Sequence, residues 1–235
     1  MERFGMFSFL VDMFFPPRCA SCKRAVKSGD VLCEKCKSFL TPIEPPVCNF
    51  CGKNVLECEC ETSYVTLSNF AAVYEYKGAV RKAIHQYKFD GVHDLTSFFG
   101  EKMAQVVVRE WDADTFDFVC CVPVTKDERK ERQYVPSEQL ACEISELLDL
   151  EYRPDALMKN VETQRQHTLG AAQRLTNLKD AFSARDFVRG KTVLLCDDIK
   201  TTGATLRECC KALENAGAER VYCICIAISG NSLRY

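Results

Sequence analysis

Thr192-Val193-Leu194-Leu195-Cys196-Asp197-Asp198-Ile199-Lys200-Thr201-Thr202-Gly203-Ala204-Thr205 decides how the rest of the chain is read. An apolar run ends in two adjacent carboxylates. A turn rich in hydroxyls follows, with Gly203 allowing close backbone approach. A helix then runs to Asn215, with Gly217 near its C-cap. Continuous apolarity marks a strand covered on both faces, and hence a parallel sheet. Turn amides and a helix N-terminus offer donors and positive potential to a phosphate. Carboxylates in front of that cradle are poor phosphate ligands but good acceptors for sugar hydroxyls. The segment therefore suits a ribose 5-phosphate, with the phosphate in the loop and the diol on the acids. The alternative is a plain strand–turn–helix with Asp or Thr as N-cap.

The flanking sequence repeats the alternation. Ala71 to Tyr76 reads as a strand, Phe118 to Val122 as a second ended by Pro123, and Val221 to Ile228 as the last. Between them, Val80, Ala83, Ile84 and Tyr87 recur at helical spacing after Gly78, and Pro136 opens a helix through about Leu150. The predicted class is α/β: a parallel-sheet domain over 64–235, preceded by a small cysteine-rich module over 1–63.

That module holds half of the 16 cysteines, in four tight pairs: Cys19/Cys22, Cys33/Cys36, Cys48/Cys51 and Cys58/Cys60. Two thiolates two residues apart can ligate one tetrahedral zinc at about 2.3 Å from a tight turn. The pairs predict two structural zincs. The pairs form two successive sets, 19-22-33-36 and 48-51-58-60, with an interleaved pairing still open on spacing alone. A disulfide framework is the competing reading, and it lacks a secretion signal to support it. A segment this short and proline-rich needs metal to fold. Phe4 to Phe15 reads as a short amphipathic helix.

The other cysteines are scattered through apolar runs, as small buried hydrophobes in a reducing cytoplasm would be. With Lys plus Arg at 31 and Asp plus Glu at 33, the net charge is −2. The chain is no polyanion glove, and any nucleic-acid contact has to rest on a local patch. No apolar run approaches the roughly 18 residues of a membrane span.

The run from Leu194 to Thr205 resembles the phosphoribosyl-pyrophosphate (PRPP) signature of type I phosphoribosyltransferases. Further motifs narrow the likeness to the ComF family. They are the paired-cysteine module, Tyr76-x-Gly78-x-x-Arg81-x-x-Ile84-x-x-x-Lys88-Phe89-x-Gly91, Val122-Pro123-Val124 with Arg129 and Arg132, and Thr163-x-x-Gln166-x-x-Leu169 with Arg174 and Asn177. The resemblance implies PRPP binding by Asp197, Asp198, Lys200, Thr201, Thr202, Gly203, Ala204 and Thr205. It implies pyrophosphate or substrate contacts from Val124, Thr125, Arg129, Arg132 and Gln166, and magnesium bound with PRPP. It assigns no catalytic acid or base. Two positions depart from the family: Gln133-Tyr134-Val135-Pro136 replaces a Gly-Phe-Asn-Gln-like run, and Lys200 is usually uncharged, either reaching a phosphate or solvated.

Two function classes follow. One is a phosphoribosyltransferase that uses PRPP and releases pyrophosphate. The other is a non-catalytic competence scaffold handling single-stranded DNA, with a helicase-like partner implied by the family. The second would draw on Arg81, Lys82 and Lys88 near Lys77, interleaved with Tyr74, Tyr76, Tyr87 and Phe89 as a stacking face. Core packing is the alternative for those aromatics.

Overall fold

The computed structural model describes residues 17–58, 69–89, 94–131, 134–160 and 181–229. The expected helix over Phe4 to Phe15 lies outside them. The first region is built from one device used twice. After Cys22 stands Lys23 with φ 63°, and after Cys51 stands Gly52 with φ 80°. In each case the N–H of the residue in the left-handed region donates to the carbonyl of the first cysteine, Lys23 to Cys19 at 2.9 Å and Gly52 to Cys48 at 2.8 Å. Antiparallel bridges, Arg18 with Ala25 and Val47 with Asn54, close each knuckle. A one-turn helix α1 (Glu34–Lys37) carries the last cysteine of the first set.

The larger region is a five-stranded parallel sheet in the order β1-β7-β6-β2-β3, with β1 Phe70–Glu75, β2 Phe118–Cys121, β3 Glu151–Tyr152, β6 Thr192–Lys200 and β7 Arg220–Ile228. Two short strands, β4 (Leu157–Lys159) and β5 (Phe182–Ala184), form a separate antiparallel pair. The parallel α/β class is therefore as expected. One face of the sheet packs Ala71, Val73, Val119, Cys121, Leu194, Cys196, Ile224 and Ile226 against α2 (Gly78–Phe89), α3 (Leu95–Glu110) and α5 (Pro136–Leu148). The alternating residues, Phe70, Ala72, Phe118, Cys120, Val193, Leu195, Cys223 and Cys225, pack on the other face against α6 (Ala204–Asn215) and the β4–β5 pair. Period-two alternation with both faces apolar is what makes these strands continuously hydrophobic.

Three differences from the sequence expectation have physical causes. Strand β6 does not stop at Cys196: β7 runs beside it to Ile228 and pairs with Asp197, Ile199 and Lys200, so the carboxylates lie within the strand. Helix α3 was not anticipated, although Leu95, Phe99, Met103 and Val107 recur every four residues and are buried. The cysteine-rich region is not a free-standing appendage. Ile43 N–H donates to the Val73 carbonyl (2.8 Å), Phe70 N–H to the Asn49 carbonyl (2.7 Å), and Leu32 and Cys19 join the core beside Tyr74 and Val80. No helix among the described residues is long and apolar enough to cross a membrane.

Candidate functional site

At the carboxyl ends of β6 and β2 the chain leaves toward opposite faces of the sheet, to α6 on one side and α5 on the other. A crevice at such a divergence is where ligands of open parallel sheets bind. Gly203, with φ 75°, sits at the N-cap of α6 and gives it no side-chain cap. Thr202 Oγ1 accepts from Ala204 N–H at a long 3.3 Å, which is as much of the N-cap alternative as the structure retains. Thr201 is exposed, Thr202 and Thr205 are half-buried, and Gly203 and Ala204 are buried. The loop thus presents hydroxyls and first-turn amides to an anion.

In front of it stand the two acids. Asp198 N–H donates to Asp197 Oδ1 at 2.8 Å, which ties the pair together. Lys88, from α2, places Nζ 2.7 Å from Asp198 Oδ2, with both side chains largely shielded from solvent. Burial alone would lower the Lys88 pKa, but the adjacent Asp198 carboxylate outweighs it and holds the ammonium charged above its ordinary value. Burial, and then the Asp198 charge, push the Asp197 carboxyl up to about 8, with Lys88 opposing. The site is therefore an asymmetric pair, with one carboxylate ion-paired and the other holding its proton near neutrality.

That asymmetry has a pH signature. The Asp197 pKa rises from 3.8 to about 8 on folding, so between those values the folded chain keeps a proton the unfolded chain releases. Stability is then highest at the acid end of the window and falls as pH rises toward about 8. Asp197→Asn should flatten that slope and raise the thermal midpoint at pH 8 relative to the native chain. Parallel melts at pH 5 and pH 8 check it, and an unchanged slope would contradict the shift.

The structure engages several of the sequence-assigned residues elsewhere. Lys88, expected on an exposed face for nucleic acid, turns inward to Asp198. Lys200 is neither in the phosphate loop nor solvated: it is 8% exposed, and its Nζ donates to the Cys51 carbonyl at 3.3 Å. Thr125 and Glu128 form a reciprocal capping box for α4 (Lys126–Glu131): Thr125 N–H donates to Glu128 Oε2 (2.8 Å) and Glu128 N–H to Thr125 Oγ1 (3.1 Å). Arg129 pairs with Glu138 on α5. Tyr74 and Tyr87 are core residues, whereas Arg81, Lys82 and Phe89 are exposed. Val124 is half-buried in the segment between β2 and Thr125. Arg132 and Gln166 fall outside the described residues.

Among the described cysteines the sulfurs of Cys19, Cys22, Cys33 and Cys36 lie within 4.8 Å of one another, as do those of Cys48, Cys51 and Cys58. The pairing is sequential rather than interleaved. Contacts of 3.6 Å (Cys22–Cys33) and 3.5 Å (Cys51–Cys58) are far too long for disulfides. They match the edge of about 3.8 Å that a tetrahedron of sulfurs has around zinc at about 2.3 Å. Cys60, expected as the eighth ligand, lies outside the described residues.

Two family models match separate parts of the chain. The double zinc ribbon domain family matches residues 10–65. The phosphoribosyl transferase domain family matches residues 136–234. The chain is thus a double zinc ribbon joined to a phosphoribosyltransferase domain. Along most of its length it is similar to proteins of DNA utilization and competence. It is 27% identical over 212 residues to the DNA utilization protein YhgH of Escherichia coli K12, covering 88% of this chain and 89% of that one. It is 27% identical over 195 residues to the competence protein ComFC of Streptococcus pneumoniae R6 (81% and 84% covered). The Bacillus subtilis 168 protein of the same name is 23% identical over 202 residues (82% and 81%). A solved glutamine PRPP amidotransferase from B. subtilis overlaps 57% of this chain and 26% of its own, with 26% identity and a TM-score of 0.40.

Proposed function

We propose that the crevice between β6 and β2 binds PRPP with magnesium. Asp197 and Asp198 take the ribose hydroxyls, and Thr201, Thr202, Gly203, Ala204 and Thr205 take the 5-phosphate. Val124, Thr125, Arg129, Arg132 and Gln166 are assigned to the pyrophosphate side. The observation that carries this reading is the conjunction, on one strand end, of an acid pair with a hydroxyl-rich turn whose helix has no side-chain cap from its Gly N-cap. Lys88 engages Oδ2 of Asp198, and the other carboxyl oxygens of the pair keep acceptor capacity for a diol. Magnesium bound with PRPP would neutralise the pyrophosphate as it leaves C1. Transfer of the phosphoribosyl group is the matching activity, and no side chain is assigned as its acid or base.

Calorimetric titration of PRPP and magnesium into zinc-loaded protein tests the site. Binding is expected in the native chain, and Asp197→Asn/Asp198→Asn should weaken it by more than tenfold. Equal binding by both proteins, or none in a folded native chain, would sink the assignment.

A second reading, single-strand handling in DNA uptake alongside a helicase-like partner, is favoured by a different feature. A cleft of about 570 Å³ opens between the first knuckle and the start of α2, lined by Arg24, Lys35, Phe39, Lys77 and Lys82. Phe39 is 60% exposed. Cys22 and Cys36 also line it and Lys77 is paired with Glu75; an exposed ring beside Arg24, Lys35 and Lys82 suits a base and its phosphates. Of the helix face first considered, only Lys82 belongs to it. Labelled oligodeoxythymidine should bind less tightly to Phe39→Ala at an unchanged salt slope, and with a shallower slope to Lys35→Ala/Lys82→Ala. Unaltered affinity in both variants would remove the cleft from consideration.

A further inference from the structure

Lys200 is the last residue of β6 and stands immediately before the Thr201–Gly203 turn. Its backbone is fixed on the sheet: it pairs with Ile228, and its carbonyl accepts from Ser229 N–H at 2.9 Å. Its side chain does not follow the loop. It runs into the second cysteine knuckle, where Nζ donates to the Cys51 carbonyl at 3.3 Å and stands 4.9 Å from the centre of the Phe70 ring. A lysine with only 8% of its surface exposed requires such partners, because an unsatisfied buried ammonium is costly.

The knuckle is shaped to receive it. Phe70 lies so close to Gly52 that a Cβ there would come within 2.4 Å of the ring, and Phe70 N–H is spent on the Asn49 carbonyl. Asn49 and Gly52 both belong to the turn that presents Cys48 and Cys51. The second cysteine set and the phosphate turn are therefore connected through one side chain and one aromatic ring.

We propose that Lys200 couples the second metal site to the phosphate loop, so that zinc held by the Cys48, Cys51 and Cys58 set favours ligand on Thr201 to Thr205, and ligand favours zinc. The inference rests on the ribose-phosphate reading of that loop. Zinc fixes the direction of the Cys51 carbonyl, the carbonyl fixes the Lys200 ammonium, and Lys200 fixes the strand end from which the turn starts. Coupling of this kind is reciprocal by thermodynamic necessity, so the same factor must appear in both affinities. Lys200 is in this sense a positioning residue rather than a ligand contact.

The test is equilibrium competition of the full chain against a chromogenic zinc chelator, with and without ribose 5-phosphate. Calorimetry of ribose 5-phosphate is run in parallel. The second zinc site is identified as the one lost in Cys58→Ser. In the native chain, saturating ribose 5-phosphate should tighten that site by about fivefold or more, the lower end of typical coupling between sites. Lys200→Met should keep both zincs and the fold yet lose the ligand-dependent tightening. Its ribose 5-phosphate affinity should fall by the same factor. Lys200→Arg, which retains a donor, should restore part of both.

Ribose 5-phosphate that binds the native chain without changing its zinc affinity would overturn the coupling and leave the site reading standing. So would tightening that persists in Lys200→Met. Failure of ribose 5-phosphate to bind the folded native chain would overturn both.

Discussion

Lys88→Met is expected to lower unfolding stability by about 2–3 kcal/mol, the cost of leaving one member of a largely buried ion pair without its partner. In a chain of this size that is a fall of roughly 5–10 °C in thermal midpoint. Asp198→Asn alone should cost a similar amount, because it strands the ammonium. Lys88→Met/Asp198→Asn should regain most of the loss, giving a coupling energy of about 3 kcal/mol in the double-mutant cycle. The geometry requires this: Nζ and Oδ2 are 2.7 Å apart, and the two side chains are 27% and 16% exposed. The Lys88 variant should also move the pH window of Asp197 upward, since Lys88, with the Asp198 N–H, opposes its raised pKa. Additive single effects would mean that Lys88 is a surface cation after all, available to nucleic acid as its place on the helix suggests.

That contrast shows where sequence reading stops. Strands β1, β2, β6 and β7 were legible because burial on both faces leaves long apolar runs, whereas β3, β4 and β5 are two or three residues long and leave no such run. Asp197 to Thr205 was legible because its chemistry is local. Lys88 was not. Apolar periodicity places Val80, Ala83, Ile84 and Tyr87 inward, and a lysine next to Tyr87 lies at the boundary of that stripe, where a long stem can turn either way. Lys200 misled for a related reason: a cation at the end of an apolar strand reads as solvated unless another part of the chain covers it, and the cover comes from residues 49 to 52. Pairing of the cysteines was undecidable because both arrangements share the same spacings. By contrast, the Thr125-x-x-Glu128 box and the four-residue recurrence in α3 are plain in the sequence, and each follows a rule of helix ends or helix faces that needed no structure.

Removing zinc should have the largest effect of any perturbation. Residues 17–58 bury few apolar side chains of their own: Ala20, Leu32, Ile43 and three of the cysteines, Cys19, Cys36 and Cys51. So small a core does not hold a fold, and structural zinc supplies of the order of 10 kcal/mol in such modules. The consequences reach the sheet. β1 is an edge strand whose outer side is covered by the segment joining the two knuckles, through the Pro42–Tyr74 bridge and the Ile43 to Val73 hydrogen bond. Loss of metal should release that cover and leave a row of unpaired strand groups, the usual starting point for edge-to-edge association. Full-length protein treated with excess chelator should therefore be cut rapidly by trypsin at Arg18, Lys23, Arg24, Lys35 and Lys37. It should lose its upper thermal transition and self-associate in size-exclusion chromatography, with added zinc reversing all three. Cys22→Ser and Cys51→Ser should each reproduce part of this without chelator, the second also weakening any ligand on the phosphate loop. A chelated chain that stays monomeric and protease-resistant would mean that the cysteines fold as buried thiols and that the edge of β1 is protected by something other than metal.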